Sequence, residues 1–227
     1  MSAPVGSLRD LQELLEGRGG YVFEQRSFAF YSVLLYTPMN GLNKLLHEYI
    51  VGHEGADGQH IPGHFELFNA QTGPNWLVAI VEDVSRAQPI ERFKPEDVYE
   101  IARYLGASVD DVPAIVFFTD PRERNETLVL RLKDVLPDAG QVTDEDLTTL
   151  FGKIASTIDN LCKKQIPDDA RLDNLRDALK RAWPKDSAWG AKVSTSVGWL
   201  EVSATKANTI LGAITSLVKL IQSTGLY

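Results

Sequence analysis

Residues 100 to 118 read EIARYLGASVDDVPAIVFF, and they hold the most informative pattern in the chain. Pro95 with Glu96 and Asp97 marks a helix start, and apolar positions at helical spacing continue to a stop at Gly106. The apolar run of residues 114 to 118 then predicts a buried strand, introduced by Val112 and Pro113. The first part of the predicted fold is therefore a helix followed directly by a central strand, with a proline at the start of that strand.

The elements on either side are predicted by the same signals, namely the spacing of apolar residues and the residues that start or stop helices and strands. The pattern predicts helices at residues 8–16, 40–51 and 143–162, and strands at 28–36, 76–81 and 127–132. Five glycines and two prolines in residues 52 to 75 favour an irregular excursion. The predicted order is helix, strand, helix, strand, helix, strand, strand, helix, which is an α/β fold with no obvious first strand.

This order, together with Ile101-Ala102-Arg103-Tyr104-Leu105-Gly106 and Val112-Pro113 before an apolar strand, resembles the thioredoxin family over residues 7 to 164. The resemblance implies a mixed sheet flanked by helices and a cis peptide bond before Pro113. It also implies that the backbone of Val112 pairs with an extended peptide of the partner. The alternative from the residues alone is an ordinary trans proline that starts a strand.

The redox motif of that family is absent. In its place, between the strand ending at Tyr36 and the following helix, stand Thr37, Pro38, Met39 and Asn40. Disulfide exchange needs one thiolate to attack and a second thiol to resolve the mixed disulfide. The chain has one cysteine, Cys162, for which we predict no role. We therefore expect no disulfide oxidoreductase activity and no catalytic residues.

What the resemblance leaves is a binding surface. We predict that it is formed by Thr37, Pro38, Met39 and Asn40 at the start of a helix, with Val112 and Pro113 beside them. A helix start offers main-chain N–H groups to a peptide or to an anionic group.

Four histidines fall between positions 47 and 64, interleaved with carboxylates. Imidazole and carboxylate are the usual non-sulfur ligands of zinc, so a zinc site made from His53, Glu54, His60 and His64 is one hypothesis. Pro62 and Gly63 disfavour a helix between the last two histidines, and no HExxH pattern is present. The competing interpretation is a polar surface loop without metal.

Residues 165 to 227 predict a helical extension in two parts. Asp168 or Asp169 starts a helix that Pro184 closes. After Gly190, apolar residues repeat at about 3.5 residues, which is a heptad seam. The seam includes Leu200, Ala204, Ala207, Leu211, Ile214, Val218 and Ile221. Three interpretations remain open for it, namely packing on the chain itself, contact with an oligomer or partner helix, and insertion at a membrane surface. Residues 193 to 197 also suit a strand.

Charge and composition limit the function classes. Residues 1 to 162 carry a net charge of −12 and residues 163 to 227 one of +4, which together give −8. An acidic body repels phosphates, so we expect no nucleic acid partner. No apolar run reaches about 18 residues, and no signal peptide pattern is present, so we expect a cytoplasmic protein.

We therefore expect two regions, a thioredoxin-like domain at residues 1–164 and a helical extension at 165–227. The first function hypothesis is a non-redox binding or adaptor protein with a protein partner or a homo-oligomeric state. The second is a metal-dependent enzyme or metal-binding protein that uses the histidine-rich segment. The third is an effector that associates with membranes through its C-terminal helix.

Overall fold

The computed structural model describes residues 2–17, 28–38, 41–81, 94–121, 126–136, 139–164, 166–184, 188–189 and 193–194. The strands are β1 Ser2–Pro4, β2 Phe30–Leu35, β3 Gly52–Glu54, β4 His60–Pro62, β5 Trp76–Ile80, β6 Ala114–Phe118, β7 Glu126–Arg131 and β8 Val193–Ser194. The helices are α1 Leu8–Leu15, α2 Gly41–Ile50, α3 Phe65–Thr72, α4 Pro95–Tyr104, α5 Leu132–Val135, α6 Asp144–Cys162 and α7 Arg171–Lys180. Short 3₁₀ turns occupy Val109–Asp111, Ala139–Gln141 and Asp168–Ala170.

A mixed sheet forms the centre of the molecule. Its order is β1-β5-β2-β6-β7, and the two-residue β8 extends the β7 edge. The first three strands in this order run parallel to one another, whereas β6 is antiparallel to both β2 and β7. The central strands are apolar on both faces because helices cover both. The predicted class of mixed α/β sheet flanked by helices is confirmed.

The two faces of the sheet bury different helices. On one face, Val33 and Leu35 of β2 pack with residues of α1 and α4, including Leu11 and Ile101. On the other face, Phe30 and Leu34 pack with residues of α2, α3, α6 and α7. Side chains alternate between the faces of a strand, so a single apolar strand supplies both cores.

Capping residues set the helix boundaries that the sequence predicted well. Thr143 accepts the N–H of Asp146, whose carboxylate accepts the N–H of Thr143, so a capping box starts α6. Pro95 occupies the first turn of α4, and Gly106 follows its end at a φ of 74°. The four predicted helices and four predicted strands of the first 162 residues are all present, with ends shifted by at most two residues.

Two sequence predictions need correction. A first strand exists, since Ser2–Pro4 pairs in parallel with Val78, Ala79 and Ile80. The segment 52–75 is largely regular, with the β3–β4 hairpin followed by α3. In both cases a three-residue strand or a single short helix was too brief for its period to be visible. Of the two alternatives left open for residues 193 to 197, the strand is found at Val193 and Ser194, which pair with Thr127 and Glu126.

The helix α7 joins the same core as the preceding elements. Leu172, Leu175 and Leu179 belong to the apolar cluster that includes Ile154 and Ile158 of α6. Trp189, 4% exposed, forms an isolated bridge with Leu130 of β7. Residues on both sides of position 164 therefore share one core.

Candidate functional site

The candidate site lies at the end of the sheet where β2 stops and β6 starts. Leu35 is paired with Ala114 in antiparallel register. Thr37 lies two residues after Leu35, and Val112 lies two residues before Ala114. Continuing the register brings Thr37 and Val112 to the same end of the sheet. Met39 and Asn40 lie outside the described residues, so four of the six predicted binding residues have a defined place.

Thr37 and Pro38 form the buried side of this site. Thr37 is 6% exposed, and its N–H donates to the side-chain oxygen of Asn43 at 3.0 Å. Pro38 is also buried. The Thr37 N–H is therefore committed to α2 and does not extend the ladder between β2 and β6. These two side chains contribute packing to the site, and a ligand has little of their surface to touch.

The loop from Ser108 to Pro113 forms the other side. Ser108 and Asp111 make a capping box around the 3₁₀ turn Val109–Asp111, and the N–H of Val112 donates to the Val109 carbonyl at 3.2 Å. The peptide bond between Val112 and Pro113 is cis, as the resemblance implied. Pro113 is buried, whereas Val112 is partly exposed. The exposed part of the loop is thus the turn and not the proline ring.

Three consecutive residues at the junction of β7 and α5 hold this loop. Arg131, the last residue of β7, donates from Nε to the Asp111 carboxylate at 2.5 Å, and the two side chains are 14% and 9% exposed. The N–H of Leu132 donates to the Pro113 carbonyl at 2.9 Å, and Lys133 Nζ donates to the Asp110 carbonyl at 2.6 Å. Because Arg131 is part of the sheet and the other two residues follow it directly, these contacts attach the loop to the sheet.

The exposed part of this turn combines one aliphatic side chain, Val109, with the charged residue Asp110. Val109 is 41% exposed and is one of three large apolar residues that are exposed in the described part of the chain. From the described residues, the Val112 carbonyl accepts no hydrogen bond. An exposed aliphatic side chain next to a main-chain acceptor suits contact with a peptide.

Sequence reasoning missed Val109, Asp111 and Arg131. The pattern of Ser108 followed by Asp111 three residues later is a capping-box signature, so part of the signal was present. Nothing in the sequence pairs Arg131 with Asp111, since 20 positions separate them and only the β6–β7 register brings them together.

The four residues of the predicted zinc site are not gathered in one place. Glu54 is paired with His60 in the β3–β4 hairpin, and His53 is paired with Ile61. Since side chains alternate along a strand, His53 lies on the opposite face from Glu54 and His60. Across the described residues there is no group of three or more histidine, cysteine or acidic side chains that could hold a metal ion. The zinc hypothesis stays a prediction without support from this geometry.

His64 has a structural partner outside the hairpin. Its Nε2 lies 3.2 Å from an Asp144 carboxylate oxygen at the start of α6. The main-chain N–H of His64 donates to the Tyr49 carbonyl at 2.6 Å. The Tyr49 ring lies 5.1 Å from the imidazole, and its hydroxyl is 2.9 Å from that of Thr148. His64 therefore connects α2 and α3 to α6.

Cys162 lies at the end of α6, partly buried against the core. Burial raises the pKa of this thiol, although nearby Arg171 acts in the opposite direction. A raised pKa lowers the fraction of reactive thiolate at neutral pH. The absence of a role for Cys162 stays a prediction.

The predicted seam from Leu200 to Ile221 lies outside the described residues. Within the residues that are described, no helix combines the length and the apolar character needed to cross a bilayer. Comparison with known proteins adds no relative, because no family model, no curated protein and no solved structure matches this chain.

Proposed function

We propose that this chain is a non-redox, thioredoxin-like binding protein whose working surface is the exposed part of the loop Ser108–Pro113, next to the buried end of β2. The observation that carries the proposal is a proline-led central strand next to the end of β2 and the start of α2, with no thiol at that point. The order of the elements and the cis bond before Pro113 support the family resemblance.

Binding is favoured over catalysis because of what the site contains. Its buried carboxylate is engaged, because Asp111 accepts hydrogen bonds from Arg131 Nε and from the Ser108 N–H. Acid–base or nucleophilic chemistry requires a group with a free proton or lone pair near a substrate. A fixed loop with an exposed Val109 instead offers shape and apolar contact.

A peptide library tests this function. We expect the immobilised full chain to enrich peptides from a random dodecapeptide library displayed on phage. Val109→Asp is expected to lower the affinity for the enriched peptides by about tenfold, because it places a charge against an apolar contact. Leu67→Asp is the matched control, since Leu67 is equally exposed, at 44%, but lies on α3. Absence of enrichment, or a larger loss with Leu67→Asp, would contradict the proposal.

An activity assay tests the loss of redox chemistry separately. The full chain is expected to leave the reduction of insulin disulfides by dithiothreitol at its uncatalysed rate, because the site lacks both thiols. A rate that rises in proportion to added protein and disappears in Cys162→Ser would show that the lone cysteine has a redox role after all.

The second part of the proposal concerns assembly. The seam that includes Leu200, Leu211 and Ile221 is proposed to mediate self-association or docking to a larger complex. Light scattering of the full chain should report more than one copy, and Leu211→Asp should shift the mass toward that of the 25.2 kDa monomer. Thr209→Asp, which changes a position outside the seam, should leave the mass unchanged. A monomer in all three proteins would remove self-association from the proposal.

A further inference from the structure

Two exposed aliphatic side chains lie away from the candidate site, on the segment that joins α2 to β5. Ile61 of β4 is 39% exposed and Leu67 of α3 is 44% exposed. Neither belongs to the two apolar clusters that the described residues form. A Cβ on Gly55 would lie 3.1 Å from Ile61 Cδ1, so the Ile61 side chain lies across its own hairpin. Ile61 and Leu67 are called the hairpin–α3 surface below.

The surroundings of the hairpin–α3 surface are acidic. Residues 52 to 75 contain Glu54, Asp57 and Glu66, all of them exposed, and no lysine or arginine. A segment that covers this surface is therefore expected to combine apolar side chains with positive charge.

Residues 204 to 222 of the same chain have that composition, since they contain two lysines and no acidic residue. Four of their residues lie outside the seam and follow one another at spacings of four, seven and three, which is one face of a helix. They are Lys206, Ile210, Leu217 and Leu220, and they are called the flank strip below. On a helix the flank strip lies beside the seam, so the two can make different contacts.

Strand register relates the end of β8 to the position of α3. One row of paired residues crosses the sheet from β8 to β5. It runs through Val193 with Thr127, Leu128 with Phe117, Phe118 with Tyr31, and Phe30 with Trp76. Trp76 and β8 therefore lie at the same end of the sheet, and α3 ends at Thr72, shortly before Trp76.

The chain beyond β8 is long enough to reach α3. Four strand spacings of about 4.8 Å separate β8 from β5, which makes about 20 Å. Residues 195 to 203 span up to about 30 Å when extended. A segment on so short a tether has an effective concentration on the order of 1 mM, well above that of a second copy in dilute solution. The chain's own segment is thus favoured as the occupant.

We propose that the flank strip packs on the hairpin–α3 surface of its own chain, with its apolar side chains on Ile61 and Leu67 and with Lys206 near the acidic residues around them. The proposal goes beyond the binding and assembly functions above, because it assigns a contact to a different strip of the segment. Docking leaves the seam available and fixes it at one end of the sheet, so the assembly interface has a defined position on each copy.

Disulfide trapping in the full chain tests the contact. In the Cys162→Ser chain, Leu67→Cys is combined in turn with a cysteine at each apolar position of the flank strip, and the protein is oxidised at micromolar concentration. One of these pairs should form a disulfide within one chain about tenfold faster than pairs made with Leu211→Cys or Val218→Cys of the seam, because the bond needs Cβ atoms about 4 Å apart. Equal rates at both sets of positions, no disulfide, or disulfides only between chains would overturn the proposal.

Trypsin cleavage after Lys206 tests the surface without added cysteines. Leu67→Asp is expected to speed this cleavage about tenfold, since a charge replaces an apolar contact and the segment detaches more often. Val109→Asp is the matched control, because Val109 is 41% exposed and lies near the opposite end of the sheet. Equal cleavage rates in the unaltered chain and Leu67→Asp, or equal acceleration in both variants, would contradict the docking.

The docking and the assembly fail separately. A chain that is monomeric by light scattering but forms the flank disulfide would keep the docking and remove self-association. A chain that associates through Leu211 but gives no flank disulfide would overturn the docking and leave the assembly standing.

Discussion

The indole N–H of Trp76 donates to the Ser32 hydroxyl at 2.8 Å, and both side chains are buried between β5 and β2. The residues that follow Ser32 in β2 are apolar, and this bond accounts for the presence of a buried hydroxyl among them. A buried donor that loses its acceptor keeps the full cost of leaving water. At the scale of single residues, this pairing adds a directional contact between β5 and β2 to the apolar packing of the sheet.

Ser32→Ala is therefore expected to lower the free energy of unfolding by about 1–3 kcal/mol, because the Trp76 indole loses the acceptor that it uses. Urea denaturation measures this loss. Ser156→Ala, which removes an exposed hydroxyl of α6, should change stability by less than about 0.5 kcal/mol. The double variant Ser32→Ala with Trp76→Phe should cost less than the sum of the single changes, and full additivity would argue against the bond.

Residue-level chemistry was only partly visible in the sequence. Positions 37 and 40 hold threonine and asparagine, so the absence of thiols there is visible in the sequence. The pairing of Arg131 with Asp111 was not, because an ion pair between distant positions depends on strand register. The burial of Thr37 and Pro38 could not be predicted either, since it depends on elements that pack against them from elsewhere in the chain.

The element α6 illustrates how local signals define a long helix. Its capping box places the Asp146 carboxylate at the helix start, where hydrogen bonds from the Thr143 backbone and then from its hydroxyl hold the pKa of Asp146 below its ordinary value of 3.8. A carboxyl whose pKa is lowered by folding stabilises the fold above its unfolded pKa, and the contribution is lost as the pH falls through the folded pKa.

Asp146→Asn should consequently flatten the fall in melting temperature on acidification below about pH 4, since the titrating group of the capping box is gone. Melting curves between neutral pH and the acid limit measure this. Asp57→Asn, an exposed change in the turn between β3 and β4, serves as the control and should keep the acid dependence of the unaltered chain. Identical pH profiles for all three proteins would contradict the capping role.

The β3–β4 hairpin shows the limit of prediction for elements. The glycines and prolines of this segment predicted an irregular loop. In the structure, glycine instead permits close contact between the two strands of a regular hairpin. Gly52 has a φ of 107°, and a Cβ on it would lie 2.1 Å from the Ile61 carbonyl oxygen. Composition indicates that chain direction changes, but it does not say whether the two arms then pair.

Gly52→Ala is expected to disrupt the hairpin, because an alanine there meets both the backbone of β4 and an unfavourable φ that costs about 1–2 kcal/mol. Amide exchange at Gly55, whose N–H donates to the Gln59 carbonyl at 2.8 Å, reports on the hairpin directly. Gly140→Ala is the control, since a Cβ there has nothing within 4 Å. A protected Gly55 amide in Gly52→Ala would show that the hairpin accommodates the methyl group.

At the scale of the whole molecule, one sheet is covered by helices on both faces, and the two-residue strand β8 pairs with its β7 edge. Trp189, 4% exposed, donates from its indole to the Trp183 carbonyl at 3.2 Å and bridges Leu130. The layered α/β class followed from alternating strand and helix patterns. The closure of the β7 edge did not, because a two-residue strand and a single bridge carry no periodic signal.

Trp189→Ala should lower the free energy of unfolding by about 3–5 kcal/mol, as expected for a large buried aromatic side chain. Thermal and urea unfolding measure this loss. Trp183→Ala should cost less, because its ring is only partly buried under the ammonium group of Lys153 and its main-chain carbonyl remains available to Trp189. Equal losses in the two variants would contradict the view that Trp189 belongs to the core.

An NMR titration of the full, ¹⁵N-labelled chain with the tightest peptide from the phage selection locates the peptide-binding surface directly. The largest amide shifts are expected on the loop Ser108–Pro113 and at Thr37, while the β3–β4 hairpin and α3 stay unchanged. Shifts centred on that hairpin or on α3, with the loop unaffected, would contradict this expectation.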